Sequence, residues 1–367
     1  MTGLHSTELS LTMANLSRNP QIIRLAGTLG LSSRGDCATE ITRYALDKVE
    51  RAVAESPFTV TSLEALREVL ADRLSVCIRY LDFDSDLSAI VEEFGQAIPH
   101  LAGQLRADFV HGRSEGLLLA LQRKEEWQRR YLAIIDRRAD EANRAYFTAW
   151  HEIAHLLTLP AQLAFAGMRR SPTREEIKKD AIEQLTDQIA GLVAFYEPLF
   201  KPVFQMETGG APLTFPIIER VRLNTAPEAS FHSAALACVR LCRHPTLFVK
   251  LERRYRAREQ RRQSAGQLPL PISAETATQP QLRIAQCYAN AAAQRSALEI
   301  FRQMRVPPQS LLTRVFESGY DSDATGNEDQ SWWETSKDGP LTALPLTVHG
   351  YRRGAHVYGM LCPRKVH

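Results

Sequence analysis

Two histidines and a glutamate between positions 151 and 155 are the residues with the clearest chemistry. His151 and His155 stand four residues apart, and Glu152 directly follows the first histidine, in the pattern His-Glu-x-x-His. Residues four apart on an α-helix share one face, so both imidazoles can bind one zinc ion. Glu152 can then act as a general base at the metal's open position. The pattern predicts a helix-borne zinc site for hydrolysis; the alternative is a helix whose histidines are solvated or satisfied within the core.

The residues around this pattern predict the helix that must present it. From residue 141 to residue 159, apolar residues recur at helical spacing, with neither glycine nor proline before Pro160. Such a run predicts a helix that ends before the proline. Both histidines then lie on one face, about one turn apart.

Zinc held by two histidines needs a third protein ligand and keeps a fourth position for water. A second helix is predicted over residues 173–196, with Glu183 and Asp187 one turn apart beside an apolar surface. Carboxylates at such a boundary cost free energy unless they are paired or bind a metal. We therefore assign Glu183 as the third ligand and Asp187 as the acceptor that fixes the tautomer of one histidine. A salt-bridged helix face with Lys178 and Lys179 is the alternative.

Short apolar runs before the histidine pattern predict a small sheet. Strands are predicted over residues 76–81, 116–121 and 131–135, after helices over residues 37–55 and 62–70. An edge strand of this sheet could pair with an extended substrate peptide. The sheet could also do no more than support the histidine helix by packing, and both interpretations remain open.

The segments that carry the assigned ligands resemble one known family. Residues 147–155, Phe-Thr-Ala-Trp-His-Glu-Ile-Ala-His, resemble the Phe-Thr-x-x-His-Glu-x-x-His core of the ImmA/IrrE-type metallopeptidases. Glu183, Thr186 and Asp187 resemble that family's second helix, where the glutamate is the zinc ligand. The likeness covers roughly residues 40–250.

This resemblance implies a zincin-like core and a zinc-dependent endopeptidase with Glu152 as the catalytic residue. The expected substrate is a helix-turn-helix transcriptional repressor, often encoded nearby, that is cleaved in response to DNA damage, another stress or phage infection. Tyr146 and Ala154 stand where the family often has arginine and glycine, and neither change removes a ligand. The alternative is a non-catalytic, zinc-stabilised sensor or regulator that binds nucleic acid or protein.

A further electrophile is expected for the oxyanion that develops during peptide hydrolysis. Tyr146, His232 and His111 are the candidates, and each of them could instead be structural.

Composition places the chain among ordinary globular proteins. Of its 367 residues, 44% are hydrophobic and 24% are charged, and the formal net charge is +3. The length predicts two domains, and so small a charge does not by itself imply a nucleic-acid partner. The sequence has no apolar run near the roughly 18 residues of a membrane span, no signal-peptide core and no Cys-x-x-Cys pair among its six cysteines. We expect a cytoplasmic protein with reduced thiols and no membrane partner.

The predicted fold class is α+β, with the zincin-like core followed by a smaller α/β accessory domain. We assign an N-terminal tail to residues 1–35, the metallopeptidase domain with a helical extension to residues 36–262, and the accessory domain to residues 281–367. Residues 263–280 are rich in Ser, Thr, Gly, Gln and Pro, a composition typical of a linker. By similarity to regulator peptidases, the last domain is expected to be GAF-like and to sense a small-molecule or nucleic-acid activator.

Local patterns in the last third of the chain give further predictions. Residues 250–262 contain seven Lys or Arg against two Glu, which fits either a phosphate-tracking surface or a solvated helix end. Residues 296–304 are predicted to be helical, and residues 344–348 with 355–361 to form a hairpin. Residues 321–330 are predicted to be an acidic loop.

Overall fold

The computed structural model describes residues 16–32, 35–98, 100–111, 114–121, 129–138, 142–158, 180–255, 279–335 and 339–364. Helices and strands are both abundant among them, which confirms the predicted α+β class. The described chain divides into two units. The N-terminal unit comprises residues 16–209 and 219–237, and the C-terminal unit comprises residues 210–218 and 238–364.

The N-terminal unit is mainly helical. Asn19, Asp36 and Ser62 cap its first three helices, each accepting a backbone N–H two or three residues further on. The helices predicted over residues 37–55 and 62–70 are confirmed. The helices that lie wholly within this unit are α1 (Pro20–Thr28), α2 (Cys37–Ala54), α3 (Leu63–Arg73), α4 (Ser85–Phe94), α5 (Leu101–Leu105), a π-helical turn (Arg106–His111), α6 (Ala142–Thr158), α7 (Ala181–Val193) and α8 (Glu197–Thr208).

Some of these bounds bear on the predicted domains. Helix α1 lies within the stretch assigned to the N-terminal tail, and its Ile22 and Ala26 are buried. Helices α9 (Phe215–Thr225) and α10 (Phe231–Leu241) each have residues in both units. Among the described residues, no helix combines the length and the apolar character that crossing a membrane requires.

A three-stranded sheet supports the histidine helix. Its strands are β1 (Val76–Leu81), β2 (Gly116–Ala120) and β3 (Tyr131–Asp136), in the order β1-β3-β2, so the three predicted strands are confirmed. The central strand β3 runs parallel to β1 and antiparallel to β2. Helix α6 packs against β2 and β3. Within the described sheet β2 is therefore an edge strand that lies beside the histidine helix.

The C-terminal unit is built on a five-stranded antiparallel sheet, whose strands follow one another in the order β5 (Gln281–Ala289), β4 (Leu247–Arg254), β10 (His356–Pro363), β9 (Pro345–Arg353) and β6 (Ser322–Asp329). The predicted hairpin is confirmed, and its turn includes Gly354 at a φ of 57°. The described elements of this unit are β4 (Leu247–Arg254), β5 (Gln281–Ala289), α11 (Ala291–Gln294), α12 (Leu311–Glu317), β6 (Ser322–Asp329), a 3₁₀ turn (Gln330–Trp332), β7 (Glu334–Thr335), β8 (Gly339–Pro340), β9 (Pro345–Arg353) and β10 (His356–Pro363).

Helix α12 packs closely on this sheet because two glycines leave room for it. A Cβ atom at Gly359 would lie 2.8 Å from the Leu312 side chain, and one at Gly350 would lie 2.9 Å from that of Val315. Both distances are shorter than the van der Waals contact of carbon atoms. The core of the unit lies between this helix and the sheet, and includes the fully buried Trp333.

The prediction of a helix over residues 296–304 is wrong. This segment instead pairs with β5: the N–H of Ile284 donates to the carbonyl of Met304 at 3.1 Å, and the N–H of Gln303 donates to the carbonyl of Ile284 at 2.9 Å. Ile300 and Met304 are buried in the core of the unit. The edge of β5 supplies the backbone partners that a helix would otherwise have provided.

The acidic loop predicted over residues 321–330 is also wrong, because these residues form strand β6. All eight residues of β6 pair with β9. Glu328 is buried and accepts hydrogen bonds from the Ser310 hydroxyl at 3.0 Å and from the N–H of Leu311 at 2.6 Å. Burial raises the pKa of Glu328. Pairing with β9 therefore outweighs the low strand propensity of this sequence.

The basic stretch at residues 250–262 begins in a strand, so the helix-end interpretation is wrong for its first five residues. Lys250 and Arg254 lie in β4 and pair with Glu252 at 3.6 and 2.6 Å. β4 belongs to the C-terminal sheet, although residues up to 262 were assigned to the metallopeptidase domain. Residues 256–262 and most of the predicted linker lie outside the described residues.

All six cysteines are free thiols.

Candidate metal centre

Helix α6 presents the histidine pair, and its bounds confirm the prediction over residues 141–159. Trp150 and Ile153 are buried and fix the helix within the N-terminal unit. At its C-terminal end, the Lys48 ammonium donates to the carbonyl of Leu157 at 2.8 Å. A cation at this end of a helix also stabilises the helix dipole. The helix that carries the histidines is therefore held at its middle and at its end.

Helix α7 presents the two carboxylates assigned from the sequence. It begins at Ala181, where Asp180 is the N-cap and accepts the N–H of Ile182 at 2.8 Å. Glu183 lies in the first turn, where a negative charge is favoured, and is buried. The predicted start at residue 173 is wrong, because the extended backbone of Asp180 makes Ala181 the first residue of this helix. Residues 173–179, with Lys178 and Lys179, lie outside the described residues.

The two helices bring three ligand atoms together. The Nε2 atoms of His151 and His155 are 3.0 Å apart, and the Glu183 Oε2 atom lies 3.2 Å from the first and 3.5 Å from the second. Their side chains are 14%, 10% and 6% exposed. Among the described residues, this is the one group of three such side chains that could hold a metal ion.

A further pair of side chains lies behind the two imidazoles. The Nδ1 atom of His151 is 2.8 Å from Asp187 Oδ1, and the Nδ1 atom of His155 is 3.5 Å from the Thr186 hydroxyl. A carboxylate only accepts hydrogen bonds, so Asp187 favours the His151 tautomer that carries its proton on Nδ1. That tautomer leaves a lone pair on the Nε2 atom that faces Glu183.

The charge distribution of this group calls for a cation. The lone pair of His151 Nε2 and the Glu183 carboxylate are both acceptors, and they face one another at 3.2 Å inside the protein. A buried charge beside another acceptor is costly unless a positive charge neutralises it. A metal ion can bind all three atoms at once, so these residues fit a metal.

Glu152 lies against Gly116, the first residue of strand β2. It is 6% exposed, and its Oε1 atom is 3.1 Å from the position that a Cβ atom would occupy at Gly116. The Thr148 side chain is closer still, at 2.5 Å from that position. Glycine is therefore required at residue 116 for β2 to approach helix α6 this closely.

Tyr146, one of the three possible electrophiles, is held by a backbone carbonyl. Its hydroxyl donates to the carbonyl of Ala194 at 2.7 Å, and its ring meets Trp150 edge-on with the centroids 6.3 Å apart. Burial raises the pKa of Tyr146. This position gives Tyr146 a structural role. His232 lies in α10, and the side chain of His111 is outside the described part of the chain.

Comparison with protein-family models gave no match, and neither did comparison with curated protein sequences. The site therefore rests on the sequence pattern and the geometry alone. Sequence reasoning missed Gly116, Thr186 as a neighbour of His155, and Lys48 at the end of α6. Gly116 opens a predicted strand directly before an apolar run, a position that signals a close backbone approach. The other two contacts depend on helix packing and leave no local pattern.

Replacing Gly116 by Ala is expected to displace Glu152 and Thr148 while leaving the three ligand atoms in place. Shifts of about 1 Å in a catalytic group can lower a rate by about 100-fold, so if this site hydrolyses peptides as the sequence predicts, the rate should fall by about that factor at unchanged metal content. The matched control is Gly191→Ala in α7, because a Cβ atom there meets nothing within 4 Å. That variant should retain its activity. Equal activity of Gly116→Ala and Gly191→Ala would contradict the proposed packing.

Proposed function

We propose that this chain is a zinc-dependent endopeptidase that cleaves a partner protein, with a helix-turn-helix repressor as the substrate in a stress or DNA-damage response. The observation that carries the proposal is the group formed by His151, His155 and Glu183, with Glu152 beside the first histidine on the same helix. Two imidazoles and one carboxylate that leave one position open are the ligand set of hydrolytic zinc sites.

The distances within the group support zinc as the metal. Zinc–nitrogen and zinc–oxygen bonds of about 2.0–2.1 Å in a tetrahedron place neighbouring ligand atoms about 3.3–3.4 Å apart. The observed separations of 3.0, 3.2 and 3.5 Å bracket that value. Calcium and magnesium prefer sites made only of oxygen atoms, so this mixed set of nitrogen and oxygen donors suits zinc better than either of them.

Glu152 and Asp187 have different roles in the proposed reaction. When bound, zinc lowers the pKa of a coordinated water to about 7 and polarises the carbonyl of the scissile bond. Glu152 takes the proton of the attacking water and passes it to the amine that leaves. Asp187 orients His151 by accepting its Nδ1 proton. Glu152 is buried, which excludes bulk water from its carboxylate.

Strand β2 gives the substrate a place to bind. It is one of the two edge strands of the described sheet, and its first residue lies against Glu152. An extended peptide that adds to such an edge forms main-chain hydrogen bonds at every second residue. In this proposal the scissile bond is therefore brought to Glu152 by strand pairing, and packing support by the sheet remains compatible with it.

The resemblance drawn from the sequence completes the proposal. The N-terminal unit would be a zincin-like core, the C-terminal unit would be a GAF-like regulatory domain, and the protein would act in the cytoplasm.

The test joins metal analysis to a cleavage assay. Elemental mass spectrometry of the freshly purified full chain should find one zinc per molecule. Incubation with the helix-turn-helix protein encoded nearest to its gene should give a discrete cleavage, located by mass spectrometry of the fragments. A chelator should stop the cleavage, and added zinc should restore it.

Other outcomes would overturn defined parts of the proposal. Protein purified without any bound metal would exclude the zinc centre. Bound zinc without cleavage would favour the non-catalytic regulator, and cleavage that a chelator does not affect would assign the activity to a different site.

A further inference from the structure

A cavity of about 400 Å³ lies in the C-terminal unit. Three parts of the chain line it: the start of β5, residues 301–309, and residues 332–335. Its volume falls within the range of about 300–1,000 Å³ typical of small-molecule sites. The metal centre uses none of these residues.

One wall of the cavity is held rigidly by Arg283 and the segment beside it. Arg283 is 6% exposed; its Nη1 donates to the carbonyl of Gln303 at 2.9 Å, and its Nη2 donates to Gln281 Oε1 at 3.0 Å. Gln303 has a φ of 72°, a conformation that costs free energy for any residue other than glycine. The N–H of Gln303 donates to the carbonyl of Ile284 at 2.9 Å, and this hydrogen bond holds the residue there. This wall is therefore formed before any ligand arrives.

A second wall carries an aromatic ring on a fixed backbone. Gln330 and Trp333, on either side of residues 331 and 332, are both fully buried. The Gln330 amide donates to the carbonyl of Ala297 at 3.1 Å. Trp332 remains 37% exposed between these anchors and lines the cavity, and Phe301, also 37% exposed, lines it too. Both rings offer faces on which a planar group can stack.

The charged side chains of the cavity define the rest of the ligand. Arg305 and Glu334 both line it, and both are exposed. With Arg283 the lining carries two guanidinium groups and one carboxylate. Guanidinium groups bind phosphate and carboxylate through paired N–H donors, and a carboxylate accepts from ring N–H or amino groups.

We propose that this cavity binds a nucleoside monophosphate. The base would stack on Trp332, the phosphate would bind Arg305, and Glu334 would accept a hydrogen bond from the base. A planar ring joined to one anionic group is the chemistry that this combination of residues recognises.

Titration calorimetry on the full chain tests the proposal with defined probes. These are the four ribonucleoside 5′-monophosphates, the corresponding nucleosides, and inorganic phosphate. At least one monophosphate should bind with one site per chain, and its nucleoside and free phosphate should each bind at least about tenfold more weakly. The proposal is overturned if none of the four binds at about 1 mM, or if phosphate alone binds as tightly.

Substitutions of residues that line the cavity test whether the monophosphate binds there. Arg305→Ala and Trp332→Ala should each weaken binding by about tenfold or more, because each removes a charge-assisted contact or a stacking surface. Arg295→Ala and Tyr320→Ala are matched controls, since both residues are exposed in the same unit and do not line the cavity. All four variants should keep the wild-type melting temperature and zinc content, because the four side chains are on the surface. Undiminished binding in Arg305→Ala and Trp332→Ala would overturn the assignment.

Discussion

Replacing Glu152 by Gln is expected to abolish peptide hydrolysis while the metal stays bound. Glutamine keeps the size of glutamate but cannot take a proton from water, and general-base catalysis contributes about 10²–10⁴-fold to a rate. Glu152 is not one of the three converging ligands, so zinc content should stay at one per chain. The measurement is the initial rate of repressor cleavage beside elemental analysis of the same samples.

The control for this change is Glu115→Gln. Glu115 immediately precedes β2, is about half exposed, and pairs with Arg144 at 2.8 Å. Exposed ion pairs contribute little, so the control should retain nearly full activity and stability. Cleavage by Glu152→Gln at the wild-type rate would show that another group takes the proton. A biological effect that persists without cleavage would instead support the non-catalytic regulator.

The metal group could be predicted from the sequence because its geometry is local to two helices. Histidines at residues 151 and 155 share a face in any regular helix, and α6 contains no residue that would break it. Glu183 could be predicted because a carboxylate beside an apolar helix surface needs a partner. The structure brings all three atoms within 3.5 Å of one another. The Asp187 carboxylate also lies beside His151, although its assigned role remains a prediction.

The features that sequence reasoning missed depend on contacts between distant segments. Strand β6 is acidic and polar, and only its pairing with β9 makes it a strand. Residues 296–304 have helical spacing, yet hydrogen bonds to the backbone of β5 hold the end of this segment in a non-helical conformation. The role of Gly116 follows from the position of the Thr148 side chain, which is 32 residues away in the sequence. None of these constraints can be predicted from the secondary-structure propensity of the local sequence.

Replacing Glu183 by Gln is expected to remove most of the bound metal and the stability that it provides. An amide is a neutral and weaker ligand, so affinity should fall by more than the roughly 100-fold seen when a hydrogen-bond partner of a ligand is lost. A metal present at about 1,000 times its dissociation constant stabilises the folded state by about 4 kcal/mol. At about 2–4 °C per kcal/mol for a unit of this size, a chelator should lower the wild-type melting temperature by roughly 10 °C.

Two further variants, Asp187→Asn and Glu197→Ala, provide a comparison for the loss of zinc affinity expected in Glu183→Gln. Asp187 contacts His151 but is not one of the three converging atoms, so its loss should weaken metal binding by about 10–100-fold and leave some zinc in place. Glu197 is exposed on α8 and pairs only with Lys201 among the described residues, so its replacement should change neither zinc content nor the response to chelator. The expected order of zinc affinity is wild type equal to Glu197→Ala, then Asp187→Asn, then Glu183→Gln.

The metal-free proteins separate a metal ligand from an ordinary buried carboxylate. Without a cation, Glu183 is a buried acceptor 3.2 Å from the acceptor atom of His151, whereas glutamine can donate an N–H to that atom. Glu183→Gln without metal should therefore be at least as stable as wild type without metal, although it is less stable when zinc is present. If Glu183 served only in a salt-bridged helix face, the variant would be destabilised to the same extent with or without chelator. Thermal unfolding of both proteins with and without chelator distinguishes the two cases, because only a metal ligand reverses the order of stability.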